Sequence, residues 1–269
     1  MSPIKLVATD IDGTLLNPQK IITERSLRAI RAAQEKGITV AIATGRFAEN
    51  AYVLLEDFGL RLPIIGSNGG RIVDESLREL SRHVMDRSVV GRTVDVLMAS
   101  GADFFIFGDG SVCAATEQRK HHSELSYGDR IKALGIRYYH GREEVVECVR
   151  HPVYKFFVCD NVPLPPLRQT LAAVPGIGLT QSWYNNIEIM PAGVDKGQGV
   201  RDLARALGIP MDQVMTLGDE NNDIPMLRAA GFGIAMGNAS EEVKRAARFV
   251  TASNAEDGFA LALETYLER

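Results

Sequence analysis

Short apolar runs alternate with helix-forming stretches at both ends of this 269-residue chain, and this alternation is the feature that most constrains its fold. Near the N-terminus, residues 4–9 predict a strand, 23–36 a helix, 38–43 a strand, 48–58 a helix and 63–65 a further strand. Strands that alternate with helices in this way form a parallel sheet with helices on both faces. The sequence therefore predicts a doubly wound parallel sheet of the α/β class.

The same alternation returns in the last third of the chain, whereas the middle of the chain has a different pattern of predicted helices and strands. Residues 85–186 mix shorter helices and strands, and the stretch 163–166 is rich in proline. We therefore predict a core domain built from 1–84 and 187–269, with 85–186 inserted between its halves as a second α/β domain.

Composition and charge narrow the class of protein. Hydrophobic residues make up 45% and charged residues 24%, as in an ordinary folded protein, and 30 Lys and Arg against 34 Asp and Glu give a net charge of −4. A mild acidic excess argues against nucleic acid as the main partner, and no apolar run approaches the roughly 18–20 residues of a membrane span. We expect a cytoplasmic protein with neither nucleic acid nor membrane as a partner. The sequence leaves its oligomeric state open.

The cysteine pattern is also typical of the cytoplasm, which is a reducing compartment. Cys113, Cys148 and Cys159 are odd in number, widely spaced and without a CxxC pair. We therefore expect buried, reduced side chains, and neither a disulfide framework nor a zinc site.

Polar clusters stand at the carboxyl ends of three predicted strands, at 10–14, 44–46 and 218–223. A fourth cluster, 195–197, opens a predicted helix. Ligands of an open parallel sheet bind beyond the carboxyl ends of its strands, so we expect the four clusters to meet at one edge. Each cluster alone is no more than a common turn, helix cap or solvated lysine. Their shared placement is what predicts a site.

The predicted edge is rich in carboxylates. They are Asp10, Asp12, Asp219 and Asp223. Such a group repels strongly unless a cation lies among its members, and all-oxygen ligands without His or Cys favour Mg²⁺. The same edge offers donors for a phosphate group. They are Lys196, Thr44 and the backbone amides of Ile11 and Gly45.

Competing motifs fail on detail. A calcium loop starting at Asp10 would need Gly at its sixth position, where Leu15 stands, and Glu at its twelfth, where Ile21 stands. The chain has neither a GxxxxGK[ST] phosphate loop nor a GxSxG elbow.

The four clusters together resemble the motifs of the haloacid dehalogenase superfamily. In this chain they read DIDGTL from Asp10, TGR from Thr44, KG from Lys196 and GDENND from Gly218. More narrowly, the chain resembles the Cof-type phosphatases, through SNG at 67–69, MGNA at 236–239 and NAEDG at 254–258. The resemblance covers the whole chain and is weakest in the insert. It implies a Rossmann-like core with a large inserted cap of the C2 type.

The resemblance also implies a role for each site residue. Asp10 attacks phosphorus and forms an aspartyl-phosphate, and Asp12 serves as the acid and then the base. For that role the pKa of Asp12 should be raised by burial and by neighbouring carboxylates. The implied Mg²⁺ ligands are Asp10, the backbone carbonyl of Asp12, and Asp219, with Asp223 close by. The implied phosphate-binding residues are Ile11, Thr44, Gly45, Lys196 and Asn222. The candidates for substrate specificity are Arg46, Asn68 and Trp183.

We therefore expect a Mg²⁺-dependent phosphatase acting on a small phosphorylated metabolite, a sugar phosphate by family analogy. Two alternatives stay open. A phosphotransferase or phosphomutase of the same fold would pass the phosphoryl group to a sugar instead of water. A non-catalytic phosphate sensor would not need an acid and base such as Asp12 beside the nucleophile Asp10.

Overall fold

The computed structural model describes residues 3–108, 111–114, 136–182 and 185–267. The chain divides into two compact units. The core unit comprises Met1–Arg82 and Asp195–Arg269, and the inserted unit comprises His83–Val194. The inserted unit contains the stretch 85–186 that the sequence sets apart, and it extends past its C-terminal limit.

The described strands, in chain order, are β1 (Leu6–Thr9), β2 (Thr39–Ala43), β3 (Ile64–Gly66), β4 (Arg71–Val73), β5 (Glu79–Arg82), β6 (Phe104–Gly108), β7 (Ser111–Ala114), β8 (Ile136–Tyr138), β9 (Val153–Val158), β10 (Ile177–Thr180), β11 (Ile187–Pro191), β12 (Val214–Gly218), β13 (Phe232–Ala235) and β14 (Phe249–Val250). The described helices are α1 (Glu24–Glu35), α2 (Ala48–Glu56), α3 (Arg87–Ser100), α4 (Arg142–Cys148), α5 (Leu164–Ala172), α6 (Lys196–Ala206), α7 (Ile224–Ala229), α8 (Glu241–Ala246) and α9 (Gly258–Leu267).

The core unit is built on one sheet with the strand order β14-β13-β12-β1-β2-β3-β4-β5. The six strands from β14 to β3 are parallel to their neighbours, and β4 and β5 add an antiparallel hairpin at the edge. The predicted doubly wound parallel sheet is confirmed. The hairpin is an addition that the apolar pattern does not predict.

Alternation along β1 explains why helices cover both faces of this sheet. Val7 packs in a cluster with Ile30 of α1 and Phe259 of α9. Leu6, on the other face, packs with Leu203 of α6. A strand that is buried on both faces reads as a continuous apolar run, which is why the sequence reveals it. Because β1 lies between β2 and β12 and is parallel to both, their carboxyl ends meet at one edge.

The inserted unit has a sheet of its own, with the described strand order β10-β11-β9-β6-β7-β8. Its pairs are antiparallel except for β7 with β8. Phe104 and Phe156 pack with Leu97 of α3 and Leu171 of α5 in a separate hydrophobic core. Among the described residues, no helix has the length and apolar character of a transmembrane span.

The cysteine expectation is wrong for two of the three residues. Cys113 of β7 and Cys148 of α4 form a disulfide, whereas Cys159 is buried and keeps its thiol. The pair is 35 residues apart in sequence, yet folding brings its Cα atoms to 6.3 Å, within the range that a disulfide spans. Spacing in sequence alone carried no sign of this approach.

Candidate active site

Three buried carboxylates meet where β1 and β12 end. Asp10, Asp219 and Asp223 each place an oxygen so that the three atoms lie within 4.8 Å of one another. The pairing of Thr9 with Leu217 sets Asp10 beside the loop that follows β12. The sequence clusters at 10–14, 195–197 and 218–223 thus come together in the core unit.

Lys196 provides positive charge inside this group. Its Nζ donates to Asp10 Oδ1 at 2.7 Å and to Asp223 Oδ1 at 2.6 Å, and its side chain is 1% exposed. Lys196 is the first residue of α6, whose N-terminus is capped by the Asp195 side chain accepting from the Gln198 N–H. The cap fixes where the helix begins, and so it sets the point from which the lysine reaches the carboxylates.

The electrostatics show a site that is short of positive charge. Burial raises the pKa of Asp10 to about 7. The charge of Lys196 opposes this shift, and the nearby carboxylate of Asp223 reinforces it. Burial and the charges of Asp10 and Asp223 raise the pKa of Asp219 to about 8. Burial disfavours the charge of Lys196, but its two carboxylate partners outweigh this and raise its pKa. One ammonium does not balance three carboxylates, so these oxygen ligands fit a hard divalent cation.

Asp219 is held from two directions. Thr14 Oγ1 donates to its Oδ1 at 2.6 Å, and Asn238 Nδ2 lies 3.2 Å from its Oδ2. Gly13, with φ of 82°, passes so close that a Cβ there would lie 2.1 Å from Asp219 Oδ2. The glycine and threonine of the DGT sequence therefore help to position the Asp219 carboxylate, in addition to forming their own turn.

Asp223 organises the loop after β12. Its Oδ2 accepts the backbone N–H groups of Asp219 at 2.8 Å and of Glu220 at 2.9 Å, while its Oδ1 faces Lys196. Asp223 ends the 3₁₀ turn Asn221–Asp223 and is fully buried. Its carboxylate thus ties the acidic loop to Lys196 at the start of α6.

The Asp12 carboxylate pairs with Arg46, whereas the sequence predicts that neighbouring carboxylates dominate its surroundings. Arg46 donates through Nε and Nη2 to the two carboxylate oxygens, at 2.7 Å each, and Lys20 Nζ lies 3.3 Å away. Burial alone would raise the pKa of Asp12, but the hydrogen bonds and charges of Arg46 and Lys20 outweigh it and lower that pKa. The expected raised pKa is therefore wrong for this structure. The sequence places carboxylates near Asp12, but it does not show that the arginine of the TGR motif pairs with Asp12.

A polar pair lies beside the carboxylates. Asn222 Nδ2 donates to Asn68 Oδ1 at 3.1 Å, and the buried Asn222 Oδ1 has no hydrogen-bond partner among the described residues. Asn68, a specificity candidate, adopts left-handed backbone angles with φ of 54° and ψ of 38°, and its N–H donates to the Thr44 carbonyl at 3.0 Å. An unpartnered buried acceptor is costly, so this oxygen favours a hydrogen-bond donor on a ligand beside Asn222.

The remaining residues of the predicted site are Thr44, Gly45, Ile11 and Trp183. The Thr44 hydroxyl is buried and accepts the Arg46 N–H at 3.1 Å, and Gly45 lies between these two residues. The Ile11 side chain is fully buried in the core, so its part in a phosphate site rests on its backbone. Trp183 lies outside the described residues.

Comparison with known proteins shows which family this chain belongs to. A family model for haloacid dehalogenase-like hydrolases matches residues 7–263. The chain is 32% identical over 284 residues to the 5-amino-6-(5-phospho-D-ribitylamino)uracil phosphatase YwtE of Bacillus subtilis, covering 98% of both chains. A solved haloacid dehalogenase-like hydrolase from B. subtilis matches the fold with a TM-score of 0.87 and 26% identity, over 97% of this chain and 99% of the other. The HAD subclass IIB sugar phosphatase BT4131 matches with a TM-score of 0.81 and 25% identity, over 97% and 98% of the two chains.

A family match over nearly the whole length, together with relatives named as phosphatases, shows that the chain belongs to the haloacid dehalogenase-like hydrolases and is a Cof-type phosphatase.

Proposed function

We propose that this chain is a Mg²⁺-dependent phosphatase that hydrolyses sugar phosphates or closely related phosphorylated metabolites through an aspartyl-phosphate on Asp10. The observation that carries this proposal is the buried group of Asp10, Asp219 and Asp223 around Lys196, which combines a nucleophile with a site for both a cation and a phosphate.

The metal site would use oxygen ligands from two loops. Asp10, Asp219 and the backbone carbonyl of Asp12 would hold Mg²⁺, with Asp223 supporting from beside them. When bound, the ion would neutralise the charges of the carboxylates and of the phosphate oxygens.

The chain's own residues divide the reaction between them. An oxygen of Asp10 forms a bond to phosphorus while the ester bond to the leaving oxygen breaks, and Asp12 gives that oxygen its proton. Water then attacks the aspartyl-phosphate, Asp12 takes a proton from it, and inorganic phosphate leaves. In this structure the contact with Arg46 lowers the pKa of Asp12, so Asp12 must leave that contact and take up a proton from solvent before it serves as the acid.

Other groups would orient the phosphoryl oxygens. They are Lys196, the Thr44 hydroxyl, the Asn222 amide and the backbone amides of Ile11 and Gly45. Such positioning and charge neutralisation supply most of the rate in phosphoryl transfer.

The substrate class is supported by two of the comparisons. One relative is named for a phosphorylated ribitylamino compound, and one matching structure is described as a sugar phosphatase. Both names point to phosphate esters on sugar-derived carbon chains. We assign the inserted unit the role of a cap that excludes water and selects the leaving group, with Arg46, Asn68 and Trp183 as specificity residues.

A cytoplasmic location follows from the proposed substrates, because charged phosphate esters stay in the compartment where they are made. Cell fractionation tests this: the protein in the cytoplasmic fraction supports the location, and the protein in an exported fraction contradicts it.

The first experiment measures phosphate release from a panel of sugar phosphates, nucleotides and other phosphate esters, with and without Mg²⁺. We expect release that needs the metal and is lost in Asp10→Asn, whereas Asp212→Asn makes the same chemical change at an exposed aspartate and retains activity. An isomerised sugar phosphate in place of inorganic phosphate would establish a phosphomutase. Metal and phosphate binding without any turnover would establish a sensor.

A further inference from the structure

Asn238 is an exposed side chain whose polar atoms are nevertheless held in fixed directions. Its Nδ2 lies 2.9 Å from the carbonyl oxygen of Gly13 and 3.2 Å from Asp219 Oδ2. Its Oδ1 accepts the backbone N–H of Asn254 at 3.0 Å. A carbonyl and a carboxylate can only accept, and a backbone N–H can only donate, so the orientation of this amide is determined by its partners.

The contacts continue into the turn that precedes α9. Asn254 Nδ2 donates to the carbonyl oxygen of Leu16 at 2.8 Å. Asn254 begins the 3₁₀ turn Asn254–Glu256, which is itself closed by a capping box between Ser253 and Glu256. The two asparagines therefore bind both ends of the segment 13–16, which comes from the opposite end of the chain.

Between those two ends, Thr14 donates to the other oxygen of Asp219. Each oxygen of this carboxylate thus has its own donor, Thr14 on Oδ1 and Asn238 on Oδ2. Two donors on different elements prevent the carboxylate from rotating about its terminal bond. A ligand held in this way loses less conformational entropy when a cation binds, and removal of such a supporting group commonly weakens metal binding by about 10–100-fold.

We propose that Asn238 is a positioning residue for the metal site, which orients Asp219 towards the cation and is itself oriented by Asn254. The sequences MGNA and NAEDG around these residues match the family, but they have no chemical role in the hydrolysis described above. This inference rests on the proposed function only in taking Asp219 as a metal ligand.

The test measures Mn²⁺ binding to the full chain by electron paramagnetic resonance of the free ion, because Mn²⁺ accepts the same oxygen ligands as Mg²⁺. In Asn238→Ala we expect the Kd for Mn²⁺ to rise by about 10-fold or more. In Asn254→Ala the rise is smaller, because the backbone N–H that orients Asn238 remains. Thermal unfolding in EDTA checks that each variant is folded, and Asn238→Ser replaces the alanine variant if that one does not fold.

Asn17→Ala is the matched control. The Asn17 side chain also accepts two backbone N–H groups, from Gln19 and Ile21, and both of these hydrogen bonds lie within its own turn. Its removal should leave the Kd for Mn²⁺ unchanged. An equal rise in Asn17→Ala and Asn238→Ala, or an unchanged Kd in folded Asn238 variants, overturns the positioning role. Absence of Mn²⁺ binding to the unaltered chain overturns the proposed metal site, and with it the proposed function, before any variant is compared.

Discussion

At the scale of single residues, Gly13 brings the backbone of the loop after β1 close to Asp219. Its φ of 82° and the 2.1 Å approach of a Cβ to Asp219 Oδ2 give two separate reasons for glycine. A substitution here must displace a proposed metal ligand, whereas most glycines with positive φ cost only backbone energy.

We therefore expect Gly13→Ala to lose metal binding and phosphatase activity. Gly37→Ala is its matched control, because Gly37 also has a positive φ, of 74°, but a Cβ there would have no neighbour within 4 Å. Both variants should lose about 1–2 kcal/mol of stability from the left-handed backbone. Mn²⁺ binding and phosphate release separate them: full activity in Gly13→Ala would show that Asp219 can move without consequence.

The raised pKa values of Asp10 and Asp219 predict how the metal-free protein responds to pH. Both carboxyls have an ordinary pKa of 3.8 in an unfolded chain, against about 7 and about 8 when folded. Between those limits the folded state binds more protons than the unfolded state. The free energy of unfolding in EDTA should therefore fall as pH rises from about 4 to 8, by up to about 1.4 kcal/mol per pH unit for each group.

Urea unfolding at a series of pH values in EDTA measures this slope. Asp219→Asn removes one of the two groups and relieves its repulsion with Asp10, so its slope should be shallower. Saturating Mg²⁺ should flatten the slope of the unaltered protein, because the cation favours the ionised carboxylates. A slope that is the same in both proteins and insensitive to Mg²⁺ contradicts the charge shortage inferred for the site.

The sequence predicted Asp10, Asp219 and Lys196 as site residues from their places after a strand or at the start of a helix. Asp10, Asp219 and Lys196 come together because parallel strands bring their carboxyl ends to one edge. Contacts that depend on side-chain direction were not predictable in this way. The pairing of Asp12 with Arg46 and the support of Asp219 by Asn238 are of this second kind.

At the scale of elements, the buried parallel strands of the core unit were predictable from their apolar runs, whereas the antiparallel hairpin of β4 and β5 was not. A strand covered on both faces must be apolar throughout, so β1 and β12 stand out in the sequence. The edge strand β5 is mostly exposed and reads ELSR, with no period that distinguishes it from a loop. Pro163 directly precedes α5, and Pro165 and Pro166 lie in its first turn, where proline is tolerated. The proline-rich stretch therefore marks the beginning of a helix as well as a break between elements.

The inserted unit contains a buried ion pair that joins two of its strands. Lys155 Nζ of β9 lies 3.0 Å from Glu188 Oε1 of β11, both side chains are 2% exposed, and the ammonium also lies 4.5 Å from the centre of the Phe107 ring. Lys155→Met should lower the free energy of unfolding by about 3–5 kcal/mol, because it leaves the Glu188 charge buried without its cation. Urea unfolding followed by circular dichroism measures the loss.

Two further variants separate the effect of leaving Glu188 without a counter-charge from the effect of losing the lysine side chain. The double variant Lys155→Met, Glu188→Leu should recover most of the stability, because it leaves no unbalanced charge. At the more exposed pair of Arg25 and Glu264, Arg25→Met should cost at most about 1 kcal/mol. If the double variant is less stable than Lys155→Met alone, the pair contributes through its contacts and not through mutual neutralisation.

At the scale of the whole molecule, the two units have separate hydrophobic cores and different stabilising features. The proposed metal ligands all lie in the core unit, on segments from both ends of the chain. The disulfide between Cys113 and Cys148 lies in the inserted unit, where it closes a loop of about 35 residues. A cation that binds the folded core stabilises it by about 2.7 kcal/mol at a concentration of 100 times its Kd. A disulfide stabilises the segment it closes, by roughly 2–4 kcal/mol.

Hydrogen exchange, read peptide by peptide, should therefore separate the two effects. Mg²⁺ should slow exchange in core peptides that carry the ligands, such as 6–16 and 214–238, because exchange there requires opening of the segments that the cation binds together. Reduction of the disulfide should speed exchange in α4 and in β7, the two elements that it joins. Asp219→Asn provides the control for the metal and Cys113→Ser the control for the reductant, since each removes one response. If Mg²⁺ protects the inserted unit as strongly as the core, opening of the two units is coupled, and stability would then be a property of the whole chain.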